Sequence, residues 1–131
     1  MAVLIELIHN ADLALNAAET GVIHEFTSAA WLRQLQGLAR LLDWGTLRSV
    51  ESAYEGARRL VDSCHSDGTH AKPIEAGDKS QRATCAMVAE DLLKAARQIC
   101  SIVLSSTEQI SFNSDIDAML KRAEAAHSIN A

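Results

Sequence analysis

Apolar residues recur every three or four positions along most of the chain, which is the spacing of one face of an α-helix. The first stripe predicts a helix from about residue 2 to 20, with Gly21 at its C-terminal cap. Its apolar positions are Leu4, Ile8, Ala11, Leu15, Ala18 and Val22. At about 100° per residue, Glu6 lies about 200° and His9 about 140° from this stripe. Both side chains are therefore expected to face away from the core.

Two further stripes flank the segment Trp44-Gly45-Thr46. They predict a second helix from about 28 to 43, capped by Thr27 or Ser28, and a third helix from about 47 to 64. The glycine of the segment is expected to end the second helix in the left-handed conformation, and its threonine to cap the third. So short a connection makes the two helices antiparallel neighbours, although a single kinked helix also fits the pattern.

The remainder of the chain predicts a loop followed by two more helices. Residues 65–78 contain the only proline and form a loop long enough to be functional or mobile. A fourth helix from about 80 to 104 has the widest apolar arc and is expected to lie centrally, and a fifth begins at Asn113 or Ser114 and spans about 114–127. The pattern predicts an all-α fold, a single-domain antiparallel bundle of four to five helices.

Charge and composition narrow the classes of function. The 131 residues carry a net charge of −5, and the first 25 contain four acidic residues but no lysine or arginine. Direct nucleic-acid binding is not expected, because it requires a basic surface to neutralise phosphates. A helix-turn-helix regulator would need Arg48, Arg58 and Arg59 to contact DNA from acidic surroundings. Three cysteines and the lack of a long apolar run favour reduced thiols in a cytoplasmic protein that does not enter a membrane.

The pattern Glu-x-x-His occurs twice, at Glu6 and His9 and again at Glu124 and His127. Di-iron bundles use two such pairs, together with glutamates from two other helices, all directed inward. Here the first pair is expected to face outward, and the second lies where a helix end frays. A bundle that binds a metal or small ligand through these pairs, with catalysis as an option, is therefore the alternative hypothesis. No cofactor is predicted.

The favoured hypothesis is a small acidic non-enzymatic protein-binding module, such as an adaptor, an inhibitor or a regulatory protein, that acts through helix surfaces. Its predicted anchor is Trp44 with Arg40 and Arg48, because tryptophan and arginine are enriched at interfaces. The acidic face of the first helix is a second predicted contact surface, which comprises Glu6, Asp12 and Glu19. The expected partner is another protein or a second copy of the same chain.

Overall fold

The computed structural model describes residues 2–64 and 79–130, in which five α-helices pack against each other. The fold is all-α, as predicted, and the predicted loop 65–78 lies outside the described residues. The helices are α1 (Ala2–Thr20), α2 (Ala29–Leu41), α3 (Trp44–Cys64), α4 (Lys79–Val103) and α5 (Ser106–Asn130).

Helix α4 is central, because it packs against α1, α3 and α5. Leu92, Leu93 and Ile99 on this helix are fully buried, and they meet buried leucines of α1 such as Leu4 and Leu15 in the core cluster. The wide apolar arc of α4 thus contacts three neighbouring helices at once. Neither α4 nor any other described helix has the length and apolar composition needed to cross a membrane.

The connection between α2 and α3 differs from the predicted one. Helix α2 ends at Leu41, and α3 already begins at Trp44, so Gly45 lies in the first turn of α3. The Asp43 carboxylate accepts a hydrogen bond from the main-chain N–H of Thr46 at 2.7 Å, which caps α3 and lowers the pKa of Asp43. The predicted cap roles of Gly45 and Thr46 were therefore wrong. Among the described residues only Gly21, with a φ of 79°, adopts the left-handed conformation.

Helix α5 begins at Ser106, well before the predicted start at Asn113 or Ser114. Its N-terminus is a capping box, in which the Glu108 carboxylate accepts the Ser105 N–H at 3.2 Å and the Ser105 hydroxyl accepts the Glu108 N–H at 3.3 Å. This reciprocal pair satisfies two main-chain donors that the helix itself leaves unbonded. The Ser-x-x-Glu signature of a capping box is present in the sequence. The helix was predicted to begin later because its first turns contain few apolar residues and so show no clear apolar stripe.

Candidate binding surfaces

Glu6 of α1 is buried against α2 and α3, although the apolar pattern placed it on the outer face of α1. Its side chain is 7% exposed and accepts four hydrogen bonds. One carboxylate oxygen accepts the Trp31 N–H at 3.0 Å and the Tyr54 hydroxyl at 2.6 Å. The other accepts the Ala30 N–H at 3.0 Å and the Thr27 hydroxyl at 3.3 Å. The prediction that Glu6 lies on the protein surface was wrong, because a second face of α1 is covered as well.

The Glu6 carboxylate caps α2 from a distance. Ala30 and Trp31 lie in the first turn of α2, where main-chain N–H groups have no partner within the helix. Ser28, one of the two predicted caps, makes no side-chain cap hydrogen bond. A carboxylate in this position also interacts favourably with the positive end of the helix dipole. The N-terminus of α2 is thus capped by Glu6 of α1 and not by the side chain of Ser28, the residue that precedes the helix.

Asn10 fixes the chain just before α2 in the same way. Its side chain is fully buried, donates to the Thr27 carbonyl at 2.7 Å and accepts the Thr27 N–H at 3.1 Å. Glu6 and Asn10 are one turn apart on α1, so both reach the same segment. Together they hold residues 27–31 against α1 through five hydrogen bonds. A sixth, donated by Tyr54 of α3, attaches α3 to the same carboxylate.

Two aromatic rings bridge α2 and α3 above Glu6. Trp31 and Tyr54 stack with ring centroids 5.4 Å apart and an angle of 14° between the planes. Burial, and secondly the hydrogen bond to Glu6, raise the pKa of Tyr54 well above its ordinary value, so the phenol remains a neutral donor. The same carboxylate therefore holds Trp31 by its main chain and Tyr54 by its hydroxyl.

These rings form part of the floor of an open groove between α2 and α3 with a volume of about 380 Å³. We call the apolar residues that line the groove its floor; Leu32 is exposed, Phe26 and Val61 are half-buried, and Trp31, Tyr54 and Ala57 are buried. We call the charged residues that line it the rim: Glu25, Glu51, Glu55, Arg58 and Asp62. The groove was not predicted, because the pattern of apolar residues does not show which neighbours of the buried Trp31 and Tyr54 stay exposed. A usable signal was the pair of acidic residues, Glu51 and Glu55, on either side of Tyr54.

The rim of the groove is mainly negative. The one cation among its described residues, Arg58, is already paired with Glu55, with a guanidinium nitrogen 2.6 Å from the carboxylate. Within the described part of the chain, neither Glu25 nor Glu51 forms an ion pair, and both are exposed. The groove thus offers an apolar floor with unneutralised carboxylates beside it.

The predicted anchor at Trp44 lies on the surface, at the corner where α2 ends and α3 begins. Trp44 is 70% exposed and Leu41 beside it is 63% exposed. The Arg48 guanidinium lies over the Trp44 ring, with its central carbon 5.9 Å from the ring centroid, a cation–π contact. Arg40 is exposed on the last turn of α2. We call these four residues the Trp44 corner.

The other two acidic residues predicted to contact a partner are engaged within the protein. Arg122 of α5 pairs with Asp12 at 3.0 Å and with Glu19 at 2.6 Å, and it also donates to the Asn16 side chain at 3.3 Å. Hydrogen bonds and Coulombic attraction from Glu19 and Asp12 raise the pKa of Arg122 above its ordinary value. Asp12 and Glu19 thus hold α5 against α1, which reduces the free negative charge on this face.

The structure does not assemble the two Glu-x-x-His pairs into a metal site. Glu6 is engaged with α2 and α3, while His9 and Glu124 are exposed. His127 instead contacts Glu90 of α4, with its Nε2 atom 2.9 Å from the carboxylate. Over residues 2–64 and 79–130, no group of three or more histidine, cysteine or acidic side chains is arranged to hold a metal ion.

Comparison of the chain with protein-family models, with curated proteins and with solved structures finds no match to any of them.

Proposed function

We propose that the protein is a non-enzymatic protein-binding module, and that the groove between α2 and α3 receives a basic segment of its partner. The observation that carries this proposal is the composition of the groove, in which six apolar residues form the floor and four carboxylates stand around it with one arginine. A segment with an apolar side chain next to lysine or arginine matches both features. The apolar side chain would be transferred out of water onto the floor of the groove, while the cation would neutralise the carboxylates of the rim.

The size of the groove supports this class of ligand. A volume of about 380 Å³ lies at the lower end of the range of small-molecule and side-chain pockets. It accommodates one or two side chains of a partner rather than a whole helix. Leu32, which lines the groove and is 66% exposed, would be covered by such a contact.

The chemistry of the lining favours recognition over catalysis. Among the described residues that line the groove there is no histidine or cysteine, and its tyrosine donates to a buried carboxylate and has a raised pKa. General acid–base work needs a group whose pKa lies near the operating pH. The carboxylates of the rim are instead suited to attract and orient a cation.

The test is a selection of peptides from a random library displayed against the immobilised protein. We expect enrichment of sequences that combine lysine or arginine with leucine, isoleucine or an aromatic residue, and a steep loss of affinity as salt screens the rim. For a selected peptide, Glu51→Lys should weaken binding by about tenfold or more, since a like charge then faces the ligand.

The matched control is Glu124→Lys, which makes the same change of charge on an exposed position of α5. This variant should leave the affinity within about twofold, because Glu124 lies outside the groove. Enrichment of acidic or purely apolar peptides would contradict the proposal. Equal losses in the two variants would also contradict it, since they would reflect net charge and not the groove.

A further inference from the structure

The Trp44 corner has the composition that the groove is proposed to recognise. It presents two exposed apolar side chains, Trp44 at 70% and Leu41 at 63%, together with the guanidinium groups of Arg40 and Arg48. Isolated exposed apolar residues are ordinary, but an exposed tryptophan with two arginines is the composition of an interface anchor. The same chain therefore carries a basic aromatic projection and an acidic groove with an apolar floor.

Within one molecule the apolar part of the groove and the corner lie at opposite ends of α2, whereas on α3 Arg48 precedes the rim residue Glu51 by about one helical turn. Trp31 in the groove precedes Leu41 at the corner by ten residues of continuous helix, which correspond to about 15 Å. None of the four corner residues lines the groove. Because α2 is a rigid element fixed at its N-terminus by Glu6, the corner cannot fold back into its own groove.

We propose that the Trp44 corner of one copy docks into the groove between α2 and α3 of a second copy. This inference rests on the proposed function of the groove and names its partner as the same chain. The cationic side chains of the corner meet the carboxylates of Glu25 and Glu51, which have no ion-pair partner among the residues the structure describes. The Trp44 ring covers the exposed Leu32 at the groove.

Such a contact joins two different surfaces. If two copies dock reciprocally, the interface is isologous and closes a twofold dimer; if they do not, it is heterologous and produces a ring or an open chain. The net charge of −5 opposes association of like molecules, whereas the local pairing of opposite charges favours it. The contact is also small, so we expect weak association, with a dissociation constant in the range of about 1 µM to 1 mM that increases with salt.

The experiment is sedimentation velocity over a concentration series of the purified protein, as wild type and as two variants in which the charges of one surface are reversed. One variant reverses the corner, Arg40→Glu with Arg48→Glu, and the other reverses the rim, Glu25→Arg with Glu51→Arg. We expect the wild type to associate and each variant alone to remain monomeric, because in each the two surfaces then carry the same sign of charge. An equimolar mixture of the variants should associate again, since each corner then finds a groove of opposite charge.

Two further variants separate the corner from general surface effects. Trp44→Ala should weaken association by about tenfold or more, as truncation of an interface anchor does. Ile110→Ala is the matched control, because Ile110 is 73% exposed on α5 and belongs to neither surface. It should leave association unchanged. Restored association in the mixture shows at the same time that both reversed variants are folded.

A wild type that stays monomeric up to about 1 mM overturns the inference, as does association that Trp44→Ala or the rim reversal leaves intact. Failure of the mixture to associate overturns it as well. The peptide selection described above measures the groove separately. A monomeric chain that still selects basic peptides therefore refutes self-docking alone, while a chain that selects none refutes the proposed function.

Discussion

Removal of the Glu6 carboxylate should be among the most damaging single changes in this protein. Glu6→Ala leaves three buried donors without their acceptor, namely the main-chain N–H groups of Ala30 and Trp31 and the hydroxyl of Tyr54. Ala30, Trp31 and Tyr54 are 6%, 5% and 8% exposed, so water does not readily replace the carboxylate. The hydroxyl of Thr27 is different, because Thr27 is exposed and can be hydrated.

Each buried donor left unsatisfied costs about 1–3 kcal/mol, which gives about 3–9 kcal/mol for three of them. Two effects reduce this sum. The first turn of α2 can fray to reach water, and the variant no longer has to bury a charge. We therefore expect Glu6→Ala to lower the free energy of unfolding by about 3–5 kcal/mol, a large part of the 5–15 kcal/mol typical of a domain.

Two milder variants divide this loss. Glu6→Gln retains an acceptor oxygen but directs an amide at the remaining donors, so it should lose about 1–3 kcal/mol. Tyr54→Phe removes one donor and leaves the carboxylate with its main-chain partners, at about 1–2 kcal/mol. Since Glu6 and Tyr54 contact each other, the double variant Glu6→Ala with Tyr54→Phe should lose less than the sum of the single variants.

The assay is equilibrium unfolding in urea followed by circular dichroism, with Glu124→Ala as a control on an exposed carboxylate. The control should change the free energy of unfolding by no more than about 0.5 kcal/mol. Hydrogen exchange of the Ala30 and Trp31 amides should increase selectively in Glu6→Ala, since they lose their acceptor. A loss below about 1 kcal/mol, with unchanged exchange of these amides, would refute the view that Glu6 caps α2.

Three further predictions concern other parts of the structure. Tyr54 is the only tyrosine and burial raises its pKa, so an ultraviolet titration should show no tyrosine ionisation until the protein unfolds. Because the folded state favours the neutral phenol, its contribution to the free energy of unfolding is complete below pH 10 and is lost as the pH rises above 10. Tyr54→Phe should not show this loss. Gly56→Ala should stabilise α3 by about 0.5–1 kcal/mol in thermal unfolding, because the added methyl group meets no atom within 4 Å beyond its chain neighbours and the backbone of its own helix. Gly21→Ala should destabilise by about 1–2 kcal/mol, because its φ is 79°. Arg122→Ala should cost about 1 kcal/mol after allowance for solvent screening, and high salt should reduce the difference; a loss independent of salt would exclude the pairing with Asp12 as its cause.

The all-α fold could be predicted from the sequence because each long helix buries a continuous apolar stripe. Helix α4 is the clearest case, since its wide apolar arc correctly indicated a central position with several neighbours. The helix ends were harder to predict, because they depend on single side chains. Asp43 and Glu108 both cap helices in the structure, yet neither interrupts an apolar stripe in the sequence.

Glu6 could not be placed from the pattern of α1 for a specific physical reason. A helical projection ranks positions by their distance from one apolar stripe and treats a carboxylate as a solvent-exposed group. Helix α1 is covered on two faces, by α4 and α5 on one side and by the chain leading into α2 on the other. The second face is polar because it bonds to main-chain groups of residues 27–31, and no periodicity of apolar residues reports those partners.

The groove follows from the way in which α2 is attached. Of its thirteen residues only Ala30, Trp31 and Leu38 are buried, so α2 has too little apolar surface to pack along its whole length. It is held instead at its ends, by Glu6 and Asn10 at the N-terminus and by the short connection to α3 at the other. Between these attachments the stacked and buried rings of Trp31 and Tyr54 join α2 to α3, and the groove beside them stays open to solvent, with Leu32 as its exposed apolar residue. Because α2 is held by polar contacts at its N-terminus and by a short connection to α3 at its C-terminus, the same attachment leaves a groove open at one end of α2 and Trp44 exposed at the other. Both surfaces therefore occur on the pair of helices α2 and α3.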